Sequence, residues 1–188
     1  MAKTDWKAEA KSLKKKLAKA KARLEAAPAA SAAPAKVKMV SPLAPKGGFP
    51  ELPDIAGVEF SAVEAGVRYA GRTDVTLIRL AGGTSVAGVF TRSSTRAASV
   101  LDCQAKLAVD VPRGAGAAII VNSGNSNAFT GRLGVQSVAE VTGAVATALD
   151  LPQSRVFSSS TGVIGEPMPH ERIVAAVDRL AVRAGVPA

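Results

Sequence analysis

A run of hydroxyl-bearing residues, Ser158 to Pro167, offers the clearest chemistry in this sequence. It follows a predicted strand and contains Thr161 next to Gly162. A threonine hydroxyl and the backbone N–H of an adjacent glycine present two donors to one point, the arrangement that stabilises an oxyanion during acyl transfer. A phosphate site is disfavoured because Pro167 and Pro169 interrupt a helix start and the run contains no lysine. A loop without chemistry is the alternative.

A second polar run, Asn122–Asn127, follows a predicted buried strand and contains three asparagines, two serines and a glycine. Asn and Gly tolerate left-handed backbone conformations, and Asn side chains hydrogen-bond to nearby backbone groups. The run is interpreted either as a self-bonded turn between a strand and a helix, or as one wall of an active site held by the same bonds.

The other reactive side chains are few. The sequence has one cysteine, Cys103, and one histidine, His170. An internal disulfide is therefore impossible, which fits a reducing compartment, and a metal site built from several His and Cys residues is not expected. Any Ser-His-Asp triad needs His170, which we expect at the surface near a helix start, and Cys103 is expected to be a packed thiol.

Hydrophobic periodicity predicts the elements that position these residues. Strands are predicted over residues 58–63, 66–70, 74–80, 85–91, 115–122 and 155–159, and helices over residues 135–149 and 169–184. Strands come first and β-α-β-α alternation follows, so the predicted fold class is α/β, with a mixed sheet and flanking helices.

The positive charge is confined to the N-terminal segment. Residues 1–40 hold eleven Lys or Arg and three Asp or Glu, whereas residues 41–188 hold thirteen and twelve. Although the formal charge of the whole chain is +9, residues 41–188 are nearly neutral and show no basic excess that would favour a nucleic-acid partner. No apolar run approaches the roughly 20 residues that a membrane span needs.

The same segment predicts a helical extension over residues 1–25, followed by an Ala/Pro linker (26–41) and a domain over residues 42–188. Apolar residues recur at heptad spacing at Trp6, Ala10, Leu13, Leu17, Ala20 and Leu24. The helix is interpreted as a solvated extension, as a surface for self-association or a partner helix, or as a basic helix that contacts acidic lipid or nucleic acid.

Five segments, in order, resemble the ornithine acetyltransferases (glutamate N-acetyltransferases), bifunctional enzymes of arginine biosynthesis. They are Pro45–Phe49, Gly66–Ile78, Ala87–Thr91, Val121–Ala128 and Ser160–Glu166. The last segment matches the family pattern throughout, and the fourth departs from it only at Ser126. The similarity covers about residues 42–184, so the chain resembles the N-terminal, alpha-chain part of these enzymes.

The resemblance implies an enzyme that cleaves itself into two chains and uses the new N-terminal threonine of the second chain as its nucleophile. That threonine takes acetyl from N-acetylornithine and passes it to glutamate. The resemblance assigns the oxyanion hole to the Thr161 hydroxyl and the Gly162 N–H. It implies a cytoplasmic heterotetramer of two chain types with no metal and no cofactor, acetyl-CoA being a co-substrate that the family allows.

The sequence stops at Ala188, before the segment that carries the cleavage site and nucleophile in the resembled family. We therefore expect this chain to be inactive alone and to need a beta chain, or a missing segment, for the nucleophile. The alternatives are a non-catalytic binding or structural fragment on the same scaffold, and a self-processing amidohydrolase of similar layout.

Overall fold

The computed structural model describes residues 11–19, 42–48, 50–51 and 53–183. The chain divides into two compact units, Met1–Glu51 and Leu52–Ala188. In the first unit, residues 11–19 form a helix (α1) whose Leu13 and Leu17 are exposed. The rest of the heptad helix and most of the predicted linker lie outside the described residues, so the division at residues 25 and 41 stays a prediction. No helix among the described residues is long and apolar enough to cross a membrane.

A four-stranded mixed sheet forms the centre of the second unit. Its strands, β1 (Val58–Val63), β2 (Val75–Leu80), β3 (Ala117–Asn125) and β4 (Val156–Val163), lie side by side in chain order. The first two pairings are antiparallel, and β3 pairs with β4 in parallel. With helices packed against it, this sheet confirms the predicted α/β fold class.

Three helices cover one face of the sheet: α3 (Gly131–Leu149), α4 (His170–Val174) and α5 (Val177–Arg183). Valines spaced at helical intervals on α3 form the main core with alternate residues of β2 and β3 and with single residues of β1 and β4. Fully burying a Val, Leu or Ile side chain stabilises the fold by roughly 1.5–3 kcal/mol. The largest fully buried aliphatic side chains are Leu77, Ile173, Leu180, Val75, Val145 and Val156.

A further helix, α2 (Ala98–Leu107), lies along the outer edge of β4. Lys106 Nζ donates to the Val156 carbonyl over 2.8 Å, and Cys103 Sγ donates to the Ser158 carbonyl over 3.4 Å. These bonds satisfy carbonyl groups that no described strand pairs with. Cys103 also packs with Phe157 in a second, smaller core.

Two predicted strands, 66–70 and 85–91, are wrong. The carboxylate of buried Asp74 accepts the N–H groups of Ala65 and Val67 at 2.7 and 2.6 Å, so the Val67 N–H of the first segment is not available for a strand ladder. The second segment has β-branched residues but no strand partner among the described residues, and β propensity without a neighbouring strand does not make a sheet.

The helix boundaries also differ from the prediction. Helix α2 was not predicted, and α3 begins at Gly131 rather than at residue 135. The predicted helix over 169–184 is divided into α4 and α5 by a turn at residues 175–176. That turn lets Ile173, Val177 and Leu180 all reach the core.

Candidate active site

The two polar runs meet at the carboxyl ends of β3 and β4. Both were expected to be loops, but both continue their strands, because the ladder extends through Ser123 paired with Thr161 and Gly124 paired with Gly162. Parallel strands end at the same side of a sheet, so their last residues lie side by side, about 5 Å apart. The structure thus brings Thr161 and Gly162 next to the asparagine-rich run.

A close approach of two glycines fixes this junction. Gly162 has φ +133°, and a Cβ placed on it would overlap the carbonyl carbon of Gly124 and lie 2.6 Å from its oxygen. Gly124 has φ +106°, and a Cβ there would lie 2.9 Å from Cβ of Arg68. Any other residue at either position strains the backbone and pushes the strands apart.

Strand alternation indicates that the Gly162 N–H points away from β3, toward the outer edge of β4. Backbone groups along a strand alternate between its two neighbours. The Val156 and Ser158 carbonyls face α2, so alternate residues from Val156 onward point outward, and Gly162 belongs to this series. Among the described residues, helix α2 covers this edge only near the start of β4, and Gly162 lies beyond it and is exposed.

Thr161 completes the pair of donors. The residue is exposed, and its hydroxyl makes no hydrogen bond with another residue that the structure describes. It precedes Gly162 directly, so its hydroxyl and the Gly162 N–H lie at the same corner of the sheet. A hydroxyl and a backbone N–H are the donor types that an oxyanion hole uses.

The three asparagines hold the junction rigid. Asn122 Nδ2 donates to the Asn125 carbonyl over 2.8 Å, and Asn125 Nδ2 donates to the Glu166 carbonyl over 3.0 Å. Asn125 Oδ1 accepts the N–H of Asn127 at 2.7 Å, and Asn127 Nδ2 donates to Gly134 at the start of α3. All three are buried, and their hydrogen bonds are compatible with both interpretations of this run, a self-bonded turn or one wall of an active site.

Two arginines on the connection between β1 and β2 reach this end of the sheet, and sequence reasoning missed both. Arg68 Nη1 lies 2.6 Å from Glu166 Oε2, and this hydrogen bond raises the pKa of Arg68. Arg72 Nη2 donates to Ser123 Oγ over 3.0 Å. Both lie in the family-like segment Gly66–Ile78, but neither was singled out, because single arginines in or near predicted strands are ordinary surface residues.

A cavity of about 350 Å³ lies between α2, β4 and residues 86–90. Its walls are mostly apolar and include Phe90 and Phe157, while Ser159 and Ser160 place one end of it next to Thr161. A larger cavity of about 490 Å³ lies at the opposite end of the sheet, around Gly116 and Asp150, and includes no residue of either polar run.

The remaining reactive side chains, Cys103 and His170, contact other residues of the fold. Cys103 is buried, as predicted, and burial raises the pKa of its thiol, so it is a poor nucleophile. His170 starts α4, as predicted, and its side chain is half-buried, at 20% exposure, which is less than an ordinary surface position has. Its Nδ1 lies 3.1 Å from Ser137 Oγ on α3, and this contact draws the ring inward. Among the described residues, no group of three or more His, Cys, Asp or Glu is arranged to hold a metal ion.

Comparison with known proteins identifies the family. The ArgJ family profile matches residues 59–186. The chain belongs to the ArgJ family. The Arginine biosynthesis bifunctional protein ArgJ of Ruegeria pomeroyi is 66% identical over 143 residues, which are 75% of this chain and 34% of that protein. The protein of the same name from Gluconobacter oxydans is 47% identical over 152 residues, 81% of this chain and 34% of that one.

Solved structures of ArgJ proteins share the fold. ArgJ from Bacillus halodurans superposes with a TM-score of 0.60 at 31% identity, covering 66% of this chain and 63% of that one. Ornithine acetyltransferase from Mycobacterium tuberculosis, complexed with ornithine, superposes with a TM-score of 0.62 at 34% identity, covering 68% and 67%. The predicted family is therefore confirmed. The chain spans about a third of the length of the curated relatives that it matches.

Proposed function

We propose that this chain supplies the oxyanion hole of an acetyltransferase that moves acetyl from N-acetylornithine to glutamate. The family takes its name from a bifunctional protein of arginine biosynthesis, and one similar structure is titled an ornithine acetyltransferase. The nucleophile is a threonine on a beta chain, or on a segment outside this sequence, and the chain alone is inactive. The assembly is a cytoplasmic heterotetramer of two chain types that needs no metal or cofactor.

The observation that carries the proposal is the corner formed by Thr161 and Gly162. The threonine is exposed, and the glycine has a conformation that excludes a side chain. The asparagine network and the glycine contact hold both on a packed sheet rather than on a mobile loop. Rigid donors stabilise a developing charge best, because they need no reorganisation at the moment of reaction.

In the proposed reaction, the threonine hydroxyl of the other chain attacks the acetyl carbonyl of N-acetylornithine. Negative charge develops on the carbonyl oxygen, and the Thr161 hydroxyl and Gly162 N–H donate to it. Collapse of this intermediate expels ornithine and leaves the acetyl group on the nucleophile. Attack by the amino group of glutamate passes through a second oxyanion at the same donors and releases N-acetylglutamate.

The test is Thr161→Ala in the assembled enzyme. We expect turnover of N-acetylornithine with glutamate to fall by about 10²–10³-fold, the usual cost of losing one oxyanion donor. Thr161→Ser keeps a hydroxyl and should retain most of the activity. Thr147→Ala is the matched control, because this exposed threonine on α3 bonds only to the Gly143 carbonyl of its own helix.

The outcomes separate the alternatives. Unchanged turnover in Thr161→Ala, with assembly intact, removes Thr161 from the mechanism. Release of acetate to water in place of transfer to glutamate identifies an amidohydrolase. Absence of both reactions in the assembled wild-type protein supports a non-catalytic fragment on the same scaffold.

A further inference from the structure

Arg72 is placed beside the candidate oxyanion hole. Its Nη2 donates to Ser123 Oγ over 3.0 Å, and Ser123 is the register partner of Thr161 on the adjacent parallel strand. Paired residues on neighbouring strands project from the same face of a sheet, about 5 Å apart. The guanidinium therefore lies on the same face as the Thr161 side chain, one strand away from it.

The guanidinium of Arg72 is charged, and no described carboxylate neutralises it. It forms no ion pair with a described carboxylate, whereas Arg68 on the same connection is paired with Glu166. The other acids of the connection are also occupied: Asp74 accepts the N–H groups of Ala65 and Val67, and Glu64 accepts the N–H of Gly71. No acid among these neutralises Arg72.

Its orientation is set before any ligand arrives. The Arg72 guanidinium lies over the ring of Tyr69, with 5.1 Å between its Cζ and the ring centroid. The Tyr69 ring thus contacts one face of the guanidinium, and Ser123 accepts one of its hydrogen bonds. The remaining N–H groups of Arg72 are exposed. A guanidinium fork of this kind matches the two oxygens of a carboxylate.

We infer that Arg72 binds the α-carboxylate shared by both substrates of the reaction, an inference that rests on the proposed acetyl transfer. In N-acetylornithine, the acetylated nitrogen is bonded to the carbon that carries the carboxylate. In glutamate, the attacking nitrogen is bonded to the equivalent carbon. A cation one strand away from the oxyanion donors therefore serves both half-reactions and orients the reacting nitrogen each time.

The first experiment compares carboxylate and carboxamide substrates in the assembled enzyme. Arg72→Ala should raise KM for both N-acetylornithine and glutamate by about 10–100-fold, the value of a charge-assisted bond, and change kcat less. Wild-type enzyme should prefer N-acetylornithine over its α-carboxamide by a similar factor, and the variant should lose that preference. The KM values of Arg72→Lys should lie between those of wild type and Arg72→Ala, because lysine keeps the positive charge but lacks the two-pronged guanidinium.

Arg79→Ala is the matched control, since this exposed arginine is paired with Glu59 and lines the cavity at the opposite end of the sheet. It should leave both KM values and the carboxylate preference unchanged. An undiminished preference for the carboxylate in Arg72→Ala overturns the inference and leaves the proposed transfer intact.

The second experiment measures binding without turnover. The full 188-residue chain is titrated with N-acetylglycine and followed by the backbone amide resonances of Ser123 and Thr161. We expect saturable shifts that weaken at least about tenfold in Arg72→Ala and persist in Arg79→Ala. Binding to the chain that depends on Arg72, together with no acetyl transfer in the assembled enzyme, sustains the carboxylate site and removes the proposed function. Binding that is indifferent to Arg72 overturns the site.

Discussion

The first half of β4 is packed against other elements, whereas its second half is exposed. In the first half, Val156 and Phe157 are buried, and α2 bonds to the outward carbonyls. In the second half, Thr161 and Gly162 are exposed and no described element pairs with their outer edge. The packed half anchors the strand, and the open half presents hydroxyl and N–H groups at a fixed position.

This difference shows how a short sheet holds donors rigidly while keeping them accessible. The buried half is positioned by apolar contacts, and the exposed half by backbone geometry and the asparagine network. Substitutions in the two halves should therefore change the free energy of unfolding by different amounts.

The largest effect is expected from Gly162→Ala. The new Cβ overlaps the Gly124 backbone, and φ +133° is unfavourable for alanine. We expect the free energy of unfolding to fall by about 2–5 kcal/mol, measured by urea denaturation. Gly143→Ala on α3 is the control, because its Cβ meets only the flexible end of Gln153 at 3.4 Å and alanine favours a helix. Equal stability of the two variants would falsify the close approach of the glycines.

A smaller effect is expected from Lys106→Met in the packed half. The change keeps the apolar stem but leaves the Val156 carbonyl without its side-chain donor and Asp102 without the ammonium that lies 2.7 Å away. Unfolding free energy should fall by about 1–3 kcal/mol. Adding Asp102→Asn should recover part of the loss, because the unpaired charge is removed. Lys46→Met, at an exposed position, should stay within about 0.5 kcal/mol of wild type.

The smallest effect concerns Cys103. Burial raises the pKa of this thiol, so the folded state holds the proton more tightly than the unfolded state. Its contribution to stability is complete below the unfolded pKa of about 8.5 and is lost as pH rises through the folded pKa. We expect the unfolding free energy of wild type to decline in this alkaline range more steeply than that of Cys103→Ala. If the unfolding free energies of the two proteins change with pH in parallel, burial does not raise the pKa of the Cys103 thiol as assigned.

The main elements could be predicted because their patterns are strong. The β1, β2 and β3 segments alternate or are continuously apolar, and the valines of α3 recur at helical spacing, so periodicity identified them. Helix α2 escaped prediction because Ala97 gives no capping side chain and Leu101 is exposed, which weakens the helical pattern. Its usable signal was the pair Asp102 and Lys106 at i,i+4 spacing.

The candidate site was predictable only in part. Thr161 and Gly162 stood out because a hydroxyl next to a glycine is a recognisable pair of donors, and family resemblance strengthened the choice. Arg72 was not predictable, since its place beside Ser123 depends on a contact between residues 51 positions apart. The backbone carbonyl of Asp74, two residues along the chain, accepts the Ser123 N–H at 2.8 Å, and no local pattern encodes this long-range pairing.

The uncovered edge of β4 has a consequence for association between molecules. A bare strand edge ordinarily offers a template on which another chain can add a strand. Here the bare stretch is short, and Gly162, at φ +133°, interrupts the extended backbone that a long ladder requires. The glycine that brings β3 and β4 into close contact thus also discourages indiscriminate edge-to-edge aggregation.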